Sequence, residues 1–195
     1  MRIDEHLIKS VLPGYSFTLS ELHHLLPLIQ YSRFEKGEHL LKEGQICRYT
    51  NYVHQGLVMY YTLQDGEIKP VDFATEGEWV TYMKSFSNQS IGEMNIMALE
   101  PLELYSISYD NLQEIFKQYP QLIAVQLQSL QEALVQVTEH AHNLASLPAQ
   151  ARYQRLVADH PKWVQRVPQY HLAAYLGIRP QSLSRIRKKQ SKKGS

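Results

Sequence analysis

The residues with the clearest capacity for chemistry lie near the C-terminus, in the segment HLAAYLGIRPQSLSRIRKK at positions 171–189. From Arg179 to Ser195 the chain has seven Lys and Arg residues and no acidic residue. Arg can donate two hydrogen bonds to one planar acceptor, Gln can donate and accept, and Ser or Lys can hold a phosphate. The segment therefore suits a polyanion that presents hydrogen-bonding groups in a groove.

Two short helices joined by a glycine turn are predicted to position these side chains. Pro168 suits the first turn of one helix, because its missing N–H costs nothing there, and Pro180 can start the next. Gly177 lies between them, where a tight turn requires positive φ. The apolar residues predicted to bury the two helices are Leu172, Ala173, Leu176, Leu183 and Ile186. The spacing of Ala173, Gly177 and Leu183 is that of a helix-turn-helix.

The outer face of the second helix carries residue types suited to the major groove of double-stranded DNA. The predicted DNA-binding residues are Arg179, Gln181, Ser182, Arg185, Lys188 and Lys189. Arg can pair with guanine and Gln with adenine, while Ser and Lys can hold phosphates. An ordinary helical hairpin is the alternative, but it gives no reason for an outer face without acidic residues.

The charge of the chain is divided unequally along its length. Residues 1–151 have a balance of −9 and residues 152–195 a balance of +10, which together give the formal net charge of +1. A basic end on an acidic body indicates a separate module with an anionic partner, either nucleic acid or a membrane surface. A solvated tail that aids solubility is the alternative, but here the basic residues follow a regular apolar pattern.

Size and composition restrict the class of protein. A chain of 195 residues can form one large domain or two small ones. No apolar stretch approaches the ~18 residues of a membrane span, and the N-terminus does not read as a secretory signal. The single Cys47 excludes a disulfide framework within one chain and a four-cysteine metal site. We therefore expect a cytoplasmic protein with no membrane partner.

The middle of the chain is predicted to be a small antiparallel β-structure. Between residues 31 and 108, short runs rich in Tyr, Val, Ile and Thr alternate with glycine turns. The stretch NYVHQGLVMYYTLQDGEIKPVDF (51–73) reads as two strands, an Asp-Gly hairpin turn and a third strand. Residues 1–30 are predicted to be helical, with Ser20 as a cap.

A long helix after residue 120 is predicted to form a dimer interface. Its apolar residues are spaced 4, 3, 4, 3, 4 and 3 apart: Ile123, Leu127, Leu130, Leu134, Val137, Ala141 and Leu144. This is the pattern of a coiled-coil seam, and the other faces carry Gln, Ser, Glu and His. We therefore predict a parallel or near-parallel homodimer through this helix. An amphipathic helix that lies on its own domain is the alternative.

These features occur in the order typical of a known family, and the chain resembles the Crp/Fnr superfamily of bacterial transcription regulators. The resemblance rests on FEKGEHLLKEG…YVHQGLVMYY, the heptad helix and RVPQYHLAAYLGIRPQSLSRIRKK, and it covers about residues 15–190. The C-terminal part is most similar to divergent members common in Bacteroidetes. The family implies an α+β fold, with an N-terminal double-stranded β-helix or jelly-roll domain of the cyclic-nucleotide-binding type, a long dimerisation helix and a C-terminal helix-turn-helix domain.

The resemblance also implies a domain plan and a function. We expect a sensor domain with N-terminal helices at 1–120, a dimerisation helix at 121–146 and a DNA-binding domain at 147–195. The implied function is regulation of transcription by a homodimer on a pseudo-palindromic DNA site, with an unidentified small-molecule effector. We expect no enzymatic activity, cofactor or metal. Typical members add a β-hairpin wing after the recognition helix, whereas here we expect tail lysines to supply the backbone contacts.

The phosphate cassette of the nucleotide-binding members is not matched. That cassette has Gly-Glu at the start of a short helix and Arg-Ser/Thr-Ala further along, but Thr81-Tyr82 and Gly92-Glu93 stand at these positions. A buried Glu93 would repel a phosphate, so usual binding of cyclic AMP or cyclic GMP is not expected. A shifted site that uses Gly77-Glu78 and Lys84 is the alternative. The candidate pocket residues are Tyr61, Trp79, Tyr82, Lys84 and Glu93.

Two other functions remain open from the sequence. The β domain could belong to a signalling module that binds a cyclic nucleotide or another small ligand without DNA-binding activity, or to a cupin-like metalloenzyme. A metal site would need several His and acidic ligands from neighbouring strands, but the β region offers only His39 and His54 as histidines. The aromatic residues of this region could line an apolar ligand site, and we favour the reading that they pack in the barrel core.

Overall fold

The described part of the chain is residues 18–191 of a computed structural model, with side chains described for residues 18–189. Its strands are β1 (Ile29–Phe34), β2 (His39–Leu41), β3 (Tyr49–Gln55), β4 (Val58–Gln64), β5 (Glu67–Ala74), β6 (Trp79–Val80), β7 (Asn95–Ala98) and β8 (Leu102–Ser108). Its helices are α1 (Leu19–Leu25), α2 (Met83–Asn88), α3 (Tyr109–Gln118), α4 (Leu122–Ser146), α5 (Ala149–Asp159), α6 (Pro161–Arg166), α7 (Gln169–Tyr175) and α8 (Pro180–Ser191), with a short 3₁₀ helix at Leu26–Leu28.

The N-terminal helical region differs from the prediction. The Thr18 hydroxyl accepts a hydrogen bond from the Glu21 N–H, and the Glu21 carboxylate accepts one from the Thr18 N–H at 2.7 Å. This capping box makes Thr18 the N-cap of α1, so the prediction of Ser20 as the cap was wrong. Ile29 begins a strand rather than ending a helix, because it pairs with Ile107 of β8. The predicted helix over residues 1–17 lies outside the described residues.

The predicted Asp-Gly hairpin is confirmed. Strands β4 and β5 are joined by Asp65 and Gly66, which have φ values of 52° and 78°. Positive φ at both central residues is typical of a two-residue hairpin turn whose twist matches that of its strands. The preceding strand β3 completes the three-strand stretch expected from the sequence.

The strands form two four-stranded sheets in a jelly-roll-like arrangement. The strand order is β1-β8-β3-β6 in the first sheet and β2-β7-β4-β5 in the second. In the first sheet the described pairs are antiparallel, and Leu104, Val53 and Val80 share one fully buried face. Tyr52 and Tyr105 lie on the other face, since side chains alternate along a strand. This arrangement confirms the predicted α+β class with a jelly-roll domain.

The described chain divides into two compact units. The first unit comprises residues 18–59 and 74–129, and the second comprises residues 60–73 and 130–191. In the first unit, a helical cluster packs against β8 through Leu22, Leu25, Ile107, Ile115 and Leu122. Helix α4 is continuous, and the division between the two units falls within it, after residue 129. The three-part domain plan read from the sequence stays a prediction.

The core of the second unit is formed by the buried sides of the helices α5 to α8. Its buried residues include Tyr153, Leu156, Trp163, Leu172, Ala173 and Leu183. The spacing of these residues on α5 to α8 gives each helix one apolar face that turns away from water. Among the described helices, none combines the length and apolarity that a bilayer crossing requires.

Candidate nucleic-acid interface and sensor pocket

The turn between α7 and α8 has the geometry predicted for a helix-turn-helix. Gly177 has a φ of 66°, a value at which glycine has no Cβ penalty. Its N–H donates to the Ala174 carbonyl, and the Ile178 N–H donates to the Ala173 carbonyl, each at 2.9 Å. These bonds satisfy carbonyls at the end of α7 that have no partner within the helix. Pro180 is the first residue of α8, as predicted.

Helix α8 has one buried side and one exposed polar side. Leu183 is fully buried and Ile186 is half-buried, so these two residues fix the inner side as predicted. The predicted DNA-binding residues are all exposed: Arg179, Gln181, Ser182, Arg185, Lys188 and Lys189. Positions 181, 182, 185, 188 and 189 share one helical face by their spacing. Because α8 contains no acidic residue, this face can meet a polyanion without like-charge repulsion.

Three aromatic residues, Phe73, Trp163 and Tyr175, pack together against one side of α7. Tyr175 of α7 packs edge to face with Trp163 at a centroid distance of 5.8 Å. The ring of Phe73, near the end of β5, lies 5.5 Å from the Tyr175 ring and 5.4 Å from the Trp163 ring, measured between ring centroids. Burial, with the nearby Asp72 charge, raises the pKa of Tyr175 well above its usual range, so its hydroxyl stays neutral. These ring contacts help to hold α7 in place. The periodicity of the sequence did not predict this aromatic cluster.

Helix α4 is tied to the following helices at its C-terminus. One Arg152 nitrogen, Nη1, donates to the Leu147 carbonyl at 2.8 Å and to the Leu144 carbonyl at 3.4 Å. A cation here satisfies free carbonyls and opposes the negative end of the helix dipole. The His140 ring stacks on Tyr175 at 4.2 Å, which links α4 directly to α7. The only sequence signal for this anchor was a basic residue soon after the predicted helix end.

The predicted dimer seam of α4 is an exposed apolar stripe. The exposed fractions of Leu127, Leu134 and Val137 are 55%, 63% and 61%. All seven predicted seam residues are exposed: Ile123, Leu127, Leu130, Leu134, Val137, Ala141 and Leu144. A single copy of this chain therefore leaves the whole stripe in contact with water. The alternative that α4 buries the stripe on its own domain does not agree with this exposure.

The segment aligned with the phosphate cassette forms a surface ion pair. The Lys84 Nζ lies 3.4 Å from a Glu93 carboxylate oxygen, and their side chains are 66% and 79% exposed. The expectation of a buried Glu93 was therefore wrong, because the carboxylate is turned to solvent. Gly92 leaves no room for a larger side chain, since a Cβ there would lie 2.8 Å from the Tyr82 ring. An arginine at this position would therefore have to displace the Tyr82 ring.

Among the other pocket candidates, Tyr82 lies beside this ion pair, because its ring faces Gly92. Trp79 packs edge to face on Tyr52 at 5.6 Å, and Tyr61 is buried in the second unit. Burial raises the pKa of Tyr61. In the Gly77-Glu78 alternative, the Glu78 carboxylate already accepts a hydrogen bond from the Thr75 N–H at 2.6 Å. The role of these residues in ligand binding stays a prediction.

The histidines lie in packing and surface positions. His54 contacts the Tyr105 ring edge to face at 5.3 Å, and burial, assisted by the Lys42 charge, lowers the pKa of His39. His142 lies near the Ser146 hydroxyl one turn along α4. Within the described residues, no group of three or more His, Cys, Asp or Glu side chains is arranged to hold a metal ion.

Residues 31–119 match the family model of the cyclic nucleotide-binding domain. Among curated proteins, the potassium/sodium hyperpolarization-activated cyclic nucleotide-gated channel 2 of Mus musculus is 26% identical over 98 residues. The matched region is 50% of this chain and 11% of the channel. The chain therefore spans only a small part of that relative's length.

Solved structures of three bacterial proteins match most of the chain. The c-di-GMP responsive global regulator CLP of Xanthomonas campestris has a TM-score of 0.71 at 22% identity, covering 91% of this chain and 93% of its own. FixK2 of Bradyrhizobium japonicum has a TM-score of 0.76 at 16% identity, with coverages of 85% and 86%. A CooA mutant of Carboxydothermus hydrogenoformans has a TM-score of 0.71 at 16% identity, with coverages of 100% and 88%.

The fold and the matched residues indicate the kind of protein that this chain resembles. Residues 31–119, which match the cyclic nucleotide-binding family model, lie within a jelly-roll-like pair of sheets followed by a long helix and a helical module. The chain as a whole has the fold of the Crp/Fnr-type regulators, and the resemblance found in the sequence is confirmed. Of these neighbours, CLP is described as a global regulator that links cell-cell signalling to virulence gene expression.

Proposed function

We propose that this protein is a DNA-binding transcription regulator of the Crp/Fnr type that acts as a cytoplasmic homodimer. The observation that carries the proposal is the exposed, acid-free face of α8, which is fixed from behind by the fully buried Leu183. The major groove of B-form DNA is wide enough to admit an α-helix. In this proposal Arg185 and Gln181 read base edges, and Lys189 holds a phosphate.

The exposed stripe of α4 supports the homodimer. A second copy would cover the same residues on both helices, as a coiled-coil seam requires. Because Arg152 and the His140–Tyr175 stack tie α4 to the helical module, pairing of two α4 helices would also fix the separation of two α8 helices. The preferred DNA site would then contain two half-sites related by a two-fold axis.

The proposed division of labour follows the domain plan read from the sequence. Residues 1–120 would sense a signal, residues 121–146 would dimerise and residues 147–195 would bind DNA. The proposed sensor does not bind a cyclic nucleotide in the usual way, which is supported by Gly92-Glu93 at the positions where the cassette has arginine and serine or threonine. A signal would act by changing the geometry of the paired α4 helices.

A salt titration of DNA binding tests the proposal. The full chain should bind a mixed-sequence duplex, with affinity that falls steeply as salt rises, because phosphate contacts release counterions. Lys189→Ala should lower the slope of log affinity against log salt by about 1 if Lys189 holds a phosphate. Fluorescence anisotropy at several stated salt concentrations measures this slope.

The matched control for this titration is Lys36→Ala, which removes an exposed cation from a turn of the β domain. That variant should keep the wild-type slope, because Lys36 is not one of the residues of the proposed DNA-binding face. Failure of the full chain to bind duplex DNA at low salt would contradict the proposal. Equal slopes for wild type and Lys189→Ala would remove Lys189 from the interface.

A further inference from the structure

A cavity of about 300 Å³ opens in the first unit, among β1, β3, β8 and the loop from Gln45 to Arg48. This volume lies at the lower end of the range for ligand pockets, which is about 300–1,000 Å³. Its described lining contains none of the five pocket candidates predicted from the sequence. We propose that the cavity binds a small monocarboxylate that carries hydroxyl groups.

One wall of the cavity is a row of amides and hydroxyls. Gln30, Ser106 and Asn51 are paired across β1, β8 and β3, so their side chains lie side by side. The Ser106 hydroxyl donates to the Asn51 side-chain oxygen at 2.7 Å, and the Asn51 side-chain nitrogen donates to the Val80 carbonyl at 3.2 Å. These two bonds hold the Asn51 amide in one orientation. The wall is therefore ordered before a ligand arrives, which lowers the entropic cost of binding.

Two further polar groups on this wall are available to a ligand. The side chains of Gln30 and Ser32 line the cavity and make no hydrogen bond to another side chain or backbone group of the described residues. An amide and a hydroxyl can each donate to and accept from a ligand hydroxyl. Phe34, on the same strand face as Gln30 and Ser32, and Leu41 and Ile96 of the second sheet offer apolar surface to a carbon chain. This combination fits a hydroxylated carbon skeleton.

Charge at the cavity selects an anion. Arg48 is exposed, lines the cavity and has no ion pair or side-chain hydrogen bond with the described residues. None of the described lining residues is an Asp or a Glu, so no fixed negative charge opposes an anionic ligand. A guanidinium can bind one carboxylate through two parallel hydrogen bonds. A single cation balances a monocarboxylate, whereas a dianionic phosphate would retain an excess negative charge.

The cavity loop is also bonded to the segment that stands in place of the phosphate cassette. The Gly44 N–H donates to the Gly92 carbonyl at 2.9 Å, and the Gly92 N–H donates to the Gln45 carbonyl at 3.0 Å. The Cys47 N–H donates to the Ser85 hydroxyl of α2 at 2.9 Å. A ligand bound by Arg48 could therefore change the position of α2 through the hydrogen bonds of this loop. The site rests on the cavity and does not require the proposed DNA binding.

Calorimetry on the full chain without DNA tests the proposal, with glycerate and gluconate as carboxylate probes and glycerol as the neutral probe. At least one carboxylate should bind, and glycerol at equal concentration should not. Arg48→Gln should weaken carboxylate binding about tenfold or more, because it removes the charge-assisted hydrogen bonds. Lys36→Gln removes another exposed cation that does not line the cavity, and it should leave the affinity unchanged.

Two further measurements show where the probe binds. Ser32→Ala should weaken binding of the same carboxylate, and carboxylate addition to methyl-labelled protein should shift the Ile96 signal. The proposal is overturned if neither carboxylate binds, if Arg48→Gln has the wild-type affinity, or if inorganic phosphate binds more tightly than glycerate. Because these experiments contain no DNA, a lack of carboxylate binding would not contradict the proposed DNA binding. Likewise, a lack of DNA binding would not contradict the proposed carboxylate site.

Discussion

Single side chains on α8 are expected to divide into groups that read bases and groups that hold phosphates. Arg185 lies in the middle of the exposed face, one turn beyond Gln181, which is where a helix in the major groove comes closest to the bases. Replacing Arg185 with Ala should cost about 1–3 kcal/mol of specific binding and relax selectivity at one base position. Competition binding between a selected site and its single-base variants measures both effects.

The control for Arg185 is again an exposed cation elsewhere in the chain. Lys36→Ala should leave both affinity and base selectivity unchanged, because its charge lies outside the proposed interface. If Arg185→Ala weakens binding equally to every sequence, the residue holds a phosphate instead. If it changes neither quantity, its assignment to the interface fails.

One half-buried and one buried histidine, His140 and His171, are expected to make the stability of the second unit depend on pH. Burial lowers the pKa of His140, and the neighbouring charges of His160 and Arg152 lower it further, while Tyr175 covers one ring face. Burial alone lowers the pKa of His171. Both rings are therefore harder to protonate in the folded chain than in the unfolded chain, where the pKa is about 6.5.

The sign of the pH effect follows from proton linkage. Well above pH ~6.5 both histidines are neutral in either state, so they do not reduce the stability of the folded chain there. As the pH falls below this value, the unfolded chain takes up protons first and the free energy of unfolding decreases. Urea unfolding at pH 7.5 and 5.5 should show the loss, and His140→Gln should reduce it. Greater stability of the wild type at the lower pH would contradict the linkage.

At the scale of elements, α4 is expected to carry the dimer. Leu134 is 63% exposed in one copy, so Leu134→Lys should leave the monomer folded while it places a charge in the seam. We expect this variant to sediment as a monomer under conditions where the wild type is a dimer. Analytical ultracentrifugation together with circular dichroism separates loss of pairing from loss of folding.

Gln136 provides the matched control on the same helix. It is exposed and lies outside the predicted seam, so Gln136→Lys adds the same charge without entering the interface. This variant should remain dimeric. A dimeric Leu134→Lys variant would show that the chain pairs through another surface or that α4 does not form the seam.

The elements that sequence analysis located well are those defined by short-range patterns. The Asp65-Gly66 turn, the positive φ of Gly177 and the start of α8 at Pro180 all follow from the conformational limits of one or two residues. The repeat of α4 needs only the period of a helix. The cap of α1 was misassigned because both Thr18 and Ser20 suit an N-cap. The sequence did carry a distinguishing signal, since Glu21 lies three residues after Thr18 in the pattern of a capping box.

The parts that sequence analysis missed depend on contacts between distant residues. Phe73 lies ninety residues from Trp163, and the His140–Tyr175 stack joins two separate helices. The polar wall of the cavity arises only when β1, β3 and β8 come into register. Neither composition nor periodicity predicts contacts between residues that are far apart in the sequence. These sites can therefore be identified only from the folded structure.

At the scale of the whole molecule, the second compact unit combines the β4–β5 hairpin with the helices that present α8. Phe73 of the hairpin and His140 of α4 both contact Tyr175, so the hairpin, α4 and α7 share one cluster of rings. A change in the pairing of α4 would therefore be transmitted to α7 through packed side chains. This is the physical basis on which we expect dimerisation and DNA recognition to be coupled.

Selection of bound sequences from random double-stranded DNA by the full chain, at a stated salt concentration, tests the central claim most directly. We predict enrichment of an inverted repeat whose half-sites lie about one helical turn, or ~34 Å, apart, because paired α4 helices present two α8 faces to one side of the duplex. An absence of any enriched sequence, or enrichment of a single unrepeated half-site, would contradict it.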